Sequence, residues 1–171
     1  MLRLGIIGAG GIASLHTHNI LSGKCPEVQL TAMADRKESR REWIRATVPD
    51  AAVFCEGSDL IASDTCDAVL IATPHYQHPT LAIEAFRHGK HVLCEKPMAL
   101  KLDECRDMIA AAKSAETKMM VGQICRYTPG FVEAKKLIDR GEIGKLFFVE
   151  TEYAHDYAHI DVEWRLDPLR H

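Results

Sequence analysis

Three short stretches of this sequence hold residues whose types and spacing fit chemistry. The first, Gly8-Ala9-Gly10-Gly11-Ile12-Ala13, fits G-x-G-x-x-G/A with Ala13 in the third place. In such a turn Gly8 allows the tight bend and Gly10 lets the main chain approach a pyrophosphate. Ala13 is small enough for a helix to lie close on the preceding strand. Free amides at the start of that helix, where Gly11 and Ile12 stand, then hold the anion, and the helix dipole favours its charge. Glycine-rich turns also arise by chance and in methyltransferases, so the strand–turn–helix context carries the assignment. The second stretch is Asp35-Arg36. Asp35 lies 22 positions beyond Ala13, near the interval of about 20 residues expected for an acid on the adenosine ribose. A carboxylate there accepts the ribose hydroxyls and repels a 2′-phosphate, whereas the Arg36 guanidinium could pair with one. NAD is therefore the expected cofactor and NADP the alternative. The competing role for Asp35 is to cap the next helix.

The third stretch is Glu95-Lys96-Pro97, which follows the strand in GKHVLC. Taken alone, Lys96 is a solvated lysine at a strand end. Ala72-Thr73-Pro74 closes another strand, at the edge where ligands of parallel sheets bind. His78 follows, and it equally suits the first turn of a helix. His75 and His78 would make a metal pair only with a third ligand, and none has sensible spacing, so no metal is expected. His16 and His18 fall on different faces of the first helix and read as packing or surface residues.

These residues need a particular scaffold. Short β-branched or apolar runs alternate with helical stretches, which means βαβ units and a doubly wound α/β sheet with helices on both faces. Strands are expected at Leu2–Ile7, Val28–Ala34, Ala52–Phe54, Asp67–Ala72, His91–Cys94 and Lys118–Gly122. Helices are expected near 11–22, 37–47, 57–62, 79–88 and 102–116. The last is the clearest, with Leu102, Cys105, Met108, Ile109 and Ala112 on one face and Asp103 and Glu104 at its positive end. Pro79 starts and Gly89 stops the helix before it.

After residue 122 the pattern changes. Thr128-Pro129 opens a helix that Gly141 ends. From Leu146 to about His155, Phe147, Val149, Thr151, Tyr153 and His155 share one side while Glu150 and Glu152 lie on the other, predicting a long strand of an antiparallel sheet. No partner strand follows it, so the sequence is expected to be cut off inside a second domain. The expected organisation is thus a dinucleotide-binding domain at 1–122 and the incomplete start of another at 123–171.

Composition narrows the classes. The chain has 171 residues, 47% hydrophobic and 26% charged, with a net charge of −3. A chain of this length can bury roughly 70% of its unfolded surface. The slight acidic excess disfavours a dedicated nucleic-acid or anionic-membrane binder. No apolar run approaches the roughly 20 residues that span a bilayer, and four glycines near the N-terminus fit a strand and turn better than a signal peptide. Six cysteines without CxxC spacing read as buried, reduced thiols of a cytoplasmic protein.

GIIGAGGIA, then ADR, then ATPHYQHPTLAIEAFRHGKHVLCEKP, then RYTPGF…LIDRGEIG together resemble the glucose–fructose oxidoreductase and inositol dehydrogenase family, in order along essentially the whole chain. The resemblance implies a Rossmann domain followed by an α/β domain whose large, mostly antiparallel open sheet shapes the substrate site and drives homo-oligomerisation. It implies hydride transfer between a nicotinamide cofactor and a secondary alcohol of a sugar, inositol or related polyol. By position, Lys96 would contact the reacting oxygen and help fix the cofactor. Negative charge builds on that oxygen as hydride leaves the carbinol carbon, and an ammonium offsets it. Pro97 would aim Lys96 into the cleft, and a cis bond before it is left open by the sequence. Ala72, Thr73 and Pro74 would line the nicotinamide ribose, with His78 nearby. Arg126 would lie near substrate or make an interdomain salt bridge, and His155 would face the substrate. Trp164-Arg165 matches a pair that precedes a glycine-rich turn in relatives. That turn leads to an Asp and a His that move the hydroxyl proton, and neither is matched here, so these 171 residues are expected to bind dinucleotide and turn over poorly or not at all. Two other functions fit parts of the pattern. A dinucleotide sensor would have no use for Lys96, and a methyltransferase none for the EKP segment.

Overall fold

The β-branched and apolar runs pair side by side in one parallel sheet. The computed structural model describes residues 1–152 and 154. Among them the strands are β1 (Leu2–Ile7), β2 (Val28–Ala34), β3 (Ala52–Phe54), β4 (Ala68–Ile71), β5 (His91–Cys94) and β6 (Met119–Val121). The helices are α1 (Gly11–Leu21), α2 (Glu38–Thr47), α3 (Gly57–Ala62), α4 (His78–Arg87), α5 (Leu102–Ser114) and α6 (Pro129–Asp139). The sheet order is β3-β2-β1-β4-β5-β6, and every ladder is parallel. Such a sheet must be covered on both faces, and β4, Ala-Val-Leu-Ile, is buried at all four positions.

Two cores result, one on each face. Leu4, Ile6, Leu30, Met33 and Leu70 pack with Ala13 of α1 and Ile44 of α2. Ile7, Val69, Ile71 and Val92 pack with Leu60 and Ile61 of α3, Phe86 of α4 and Met108 of α5. The alternation Ile6/Ile7 and Val69/Leu70 divides neighbours between the two faces, as period-2 geometry requires. Phe86, fully buried, is worth about 3–5 kcal/mol against alanine.

Local signals set the ends of the helices. Pro79 lies in the first turn of α4, and Gly89, at φ +69°, lets the chain turn back into β5. Glu104 in the first turn of α5 accepts the amides of Lys101 at 3.1 Å and Leu100 at 3.3 Å. Buried Lys90, just before β5, donates to the carbonyls of Ser63 and Cys66, both at 2.8 Å. This satisfies an ammonium that would be costly to bury alone.

Residues Met1–Gly122 form one compact unit, and a second begins at Gln123. In the second, Thr128 is the N-cap of α6 and Pro129 its first residue. The strand expected from Leu146 is not seen among the described residues: 146–152 are in no strand, and Phe147 is 93% exposed. Alternation reports compatibility with a pleated surface, but a strand exists only where a neighbour takes its hydrogen bonds. Tyr153, His155, Trp164 and Arg165 lie outside the described residues. β4 and β6 are shorter than expected by a residue at each end, with Asp67, Ala72, Lys118 and Gly122 outside them. The cysteines are also less uniform than expected. All six are unpaired, but only Cys66 and Cys94 are buried, while Cys55 and Cys125 are exposed on connecting segments. No helix among the described residues is long and apolar enough to cross a membrane.

Candidate functional site

All strands being parallel, their carboxyl ends share one edge, and there β1 and β4 diverge to opposite halves of the sheet. Such a switch point leaves a crevice, and the glycine turn sits in it. Gly8 has φ +89°, a region that other residues enter only with strain. A Cβ built on it would come 2.8 Å from the Ala72 carbonyl oxygen, so the turn lies directly on the end of β4. Gly10 is the extended N-cap of α1, with no side-chain cap. The first helical bond runs from the Ser14 amide to the Gly10 carbonyl at 2.9 Å. The amides of Gly11, Ile12 and Ala13 therefore have no partner within the helix. A Cβ on Gly10 or Gly11 would meet nothing within 4 Å, so space lies open over these donors. Ala13 is fully buried against the sheet.

Asp35 follows β2 and binds backbone with both carboxylate oxygens. Oδ2 accepts the Ala9 amide at 2.8 Å and Oδ1 the Lys37 amide at 2.8 Å. The latter bond turns the chain into α2, whose N-cap is Lys37. Each oxygen keeps a second lone pair. Arg36 is turned away and largely exposed, with Nε donating to Glu56 at 2.8 Å. Arg40, which the sequence reading passed over, reaches the turn instead. Its Nε donates to the Ala9 carbonyl, its Nη2 to Ser14 Oγ at 3.0 Å, and its guanidinium lies 4.6 Å from the Trp43 ring centre. Ala9 thus donates its N–H to a carboxylate and accepts at its carbonyl from a guanidinium.

Beyond β4, the Thr73 hydroxyl is buried without a hydrogen-bond partner. His78 is fully buried, with Nδ1 2.9 Å from the Pro97 carbonyl and Nε2 3.0 Å from the Thr73 carbonyl. Its ring ties the segment after β4 to the segment after β5. Pro74 is the N-cap of a 3-10 turn, His75–Gln77, and the rings of His75 and His78 meet edge to face at 5.7 Å. After β5 the Lys96–Pro97 peptide is cis. Lys96 is exposed and makes no salt bridge among the described residues. Glu95 is buried. Its Oε1 accepts a hydrogen bond from His16 Nε2 at 2.8 Å, and its Oε2 accepts the Lys96 amide at 3.2 Å. The His16 bond, outweighing burial, holds the Glu95 carboxyl below the ordinary range.

The structure thus gathers Gly8, Gly10, Gly11, Ile12, Ala13, Asp35, Ala72, Thr73, Pro74, Glu95, Lys96 and Pro97 along one edge of the first unit. Arg126 belongs to the second unit, exposed on the 3-10 turn Ile124–Tyr127. The open space over Gly10 and Gly11, the free amides beneath it and the orphaned Thr73 hydroxyl fit a dinucleotide: an anion for the helix start and polar atoms for the nearby strand end.

Comparisons with known proteins agree with this geometry. The GFO_IDH_MocA family model, described as an oxidoreductase family with an NAD-binding Rossmann fold, matches residues 2–123. Inositol 2-dehydrogenase of Rubrobacter xylanophilus is 37% identical over 144 residues, covering 84% of this chain and 41% of that protein. A scyllo-inositol 2-dehydrogenase (NADP(+)) of Bacillus subtilis is 33% identical over 158 residues, covering 92% of this chain and 48% of that protein. Among solved structures, scyllo-inositol dehydrogenase of Lactobacillus casei, with bound NAD(H) and scyllo-inositol, superposes with a TM-score of 0.79. Its identity is 27%, over 84% of this chain and 43% of the other. The chain spans less than half the length of each of these relatives.

Proposed function

As the chain belongs to the GFO_IDH_MocA oxidoreductase family, we propose that it is the dinucleotide-binding part of an NAD-dependent enzyme that oxidises or reduces a secondary alcohol of an inositol, sugar or related polyol. The first unit is an NAD-binding Rossmann fold. The observation that carries the proposal is the glycine turn: open above Gly10, fastened below Gly8 to β4, and held through Ala9 by Asp35. The family match also sets aside the methyltransferase alternative.

In this proposal the amides of Gly11, Ile12 and Ala13 hold the pyrophosphate and Asp35 the adenosine ribose. Ala72, Thr73 and Pro74 line the nicotinamide ribose, while His78 keeps Thr73 and Pro97 in place. When bound, the nicotinamide gives or takes the hydride. Lys96 holds a proton at Nζ beside the substrate oxygen and offsets the charge that builds there. Arg126 and His155 are assigned to the substrate side. The second unit, residues 123–171, is assigned as the start of a substrate and oligomerisation domain, completed in the whole protein as a homo-oligomer. The six unpaired cysteines of the chain accord with a reducing, cytoplasmic setting.

Titration of the 171-residue chain with NADH, NADPH and S-adenosylmethionine tests the cofactor assignment. Binding of NADH at micromolar levels is expected, and tight binding of S-adenosylmethionine alone would overturn it. In the whole protein, Lys96→Ala should cut turnover by about a hundredfold or more while sparing NAD binding. Undiminished turnover would remove Lys96 from the reaction, and a wild-type whole protein that binds NAD without turnover would favour the sensor alternative.

A further inference from the structure

His16 and Glu95 are 79 positions apart, yet their side chains meet at 2.8 Å. His16 lies in the second turn of α1, the helix whose start faces the crevice. Glu95 leads directly into Lys96, and its own amide donates to the Ile71 carbonyl at 3.0 Å, continuing the β4–β5 ladder. The Glu95 side chain is enclosed: the residue is 8% exposed, and a Cβ on Gly122 would lie 3.4 Å from its Oε2. A carboxylate so buried must be satisfied by donors, and two supply it, the His16 ring and the Lys96 amide. The carboxylate therefore joins α1 to the backbone of the residue assigned to the reacting oxygen.

We propose that His16 is a positioning residue which, through Glu95, fixes the Lys96 segment relative to α1 so that the nicotinamide end of the dinucleotide meets it in register. The proposal rests on the dinucleotide reading above and adds a residue that acts on one end of the ligand only. The adenosine end has separate supports in Asp35 and Arg40, whose side-chain hydrogen bonds go to Ala9, Ser14 and Lys37 and not to Glu95 or His16. Without the imidazole, Glu95 keeps one donor, its carboxylate turns toward water, and the Lys96 amide loses its fixed acceptor.

Affinities of the 171-residue chain for NADH and for ADP-ribose separate this role from a general packing role. His16→Ala should weaken NADH about tenfold and leave ADP-ribose within about twofold. His16→Gln, whose amide nitrogen reaches about as far as Nε2, should restore most of the NADH affinity. Equal weakening of both ligands, or no change in either, overturns the proposal. If His16→Ala does not fold, His16→Asn replaces it, because its amide falls short of Glu95. Equal NADH affinity for His16→Asn and His16→Gln then overturns the proposal. Wild-type chain that binds neither ligand overturns the dinucleotide reading itself, an outcome distinct from any difference among the variants.

Discussion

The Oδ2 atom of Asp35 accepts the main-chain N–H of Ala9 at 2.8 Å, so the acid that ends β2 also braces the glycine turn that ends β1. Hydrogen bonds to a charged group contribute about 1.5–3 kcal/mol, and a donor left buried and unpaired costs a similar amount. Asp35→Ala should lower stability by about 2 kcal/mol, read by urea unfolding, and weaken NADH by at least tenfold in a fluorescence titration. Unchanged affinity would show that the carboxylate serves the turn alone.

Choice of dinucleotide should depend on Glu56 as well as Asp35. Arg36 follows Asp35 directly and is the cation proposed for a 2′-phosphate, but its Nε is engaged by Glu56 at 2.8 Å. Both partners are well exposed, and such pairs contribute about 0–1 kcal/mol, so Glu56→Gln should hardly change the melting temperature. It frees Arg36 and should move the NADPH-to-NADH affinity ratio about fivefold toward NADPH at low salt, an effect that fades as ionic strength rises. Parallel titrations in both dinucleotides measure it; a ratio that stays fixed counts against Arg36 as the latent phosphate partner.

Acid should loosen the EKP segment in a defined direction. The His16 hydrogen bond holds the folded Glu95 carboxyl below its ordinary value of 4.5. A depressed carboxyl stabilises the fold above the unfolded value, and that contribution is lost as pH falls through the folded one. His16→Ala should therefore shift the acid-unfolding midpoint to higher pH, followed by circular dichroism between about pH 6 and 2. A midpoint that does not move would mean that Glu95 is held down by other donors.

Thiol reactivity should divide the six cysteines. Burial, with the nearby Glu95 charge adding to it, pushes the Cys94 thiol up to about 12, and burial also raises Cys66. Thiolate is the reactive form, so an aromatic disulfide reagent at pH 8 should label the exposed Cys55 and Cys125 first. Cys66 and Cys94 should react only after unfolding. Peptide mapping of early-labelled chain identifies the sites, and early modification of Cys94 would contradict the packing around β5.

Much of this was legible in the residues because local chemistry forced it. Gly8 announces a turn that few other residues could make, and the spacing to Asp35 follows from one helix and one strand between them. His16 was not legible in the same way. Its spacing on α1 says which side of a helix it occupies, but not that a strand end 79 positions later returns to meet it. Arg40 was missed for the same reason, since its contact with Ala9 depends on how α2 docks. His78 looked like a helix-start residue, and it is one, but the two carbonyls that flank its ring come from segments on either side of a crossover. The stretch from Leu146 misled because alternating side chains state a preference, while pairing requires a second strand that preference cannot supply.

The close approach of Gly8 to Ala72 has a bearing on how this crevice can change over time. Its floor is main chain pressed on main chain, with no side chain available to be exchanged and no room to insert one. On the dinucleotide reading proposed above, adaptation toward a different nucleotide would therefore be written on the rim, in residues such as Arg36, Glu56 and Arg40, while the close seat of Gly8 on β4 stays the same.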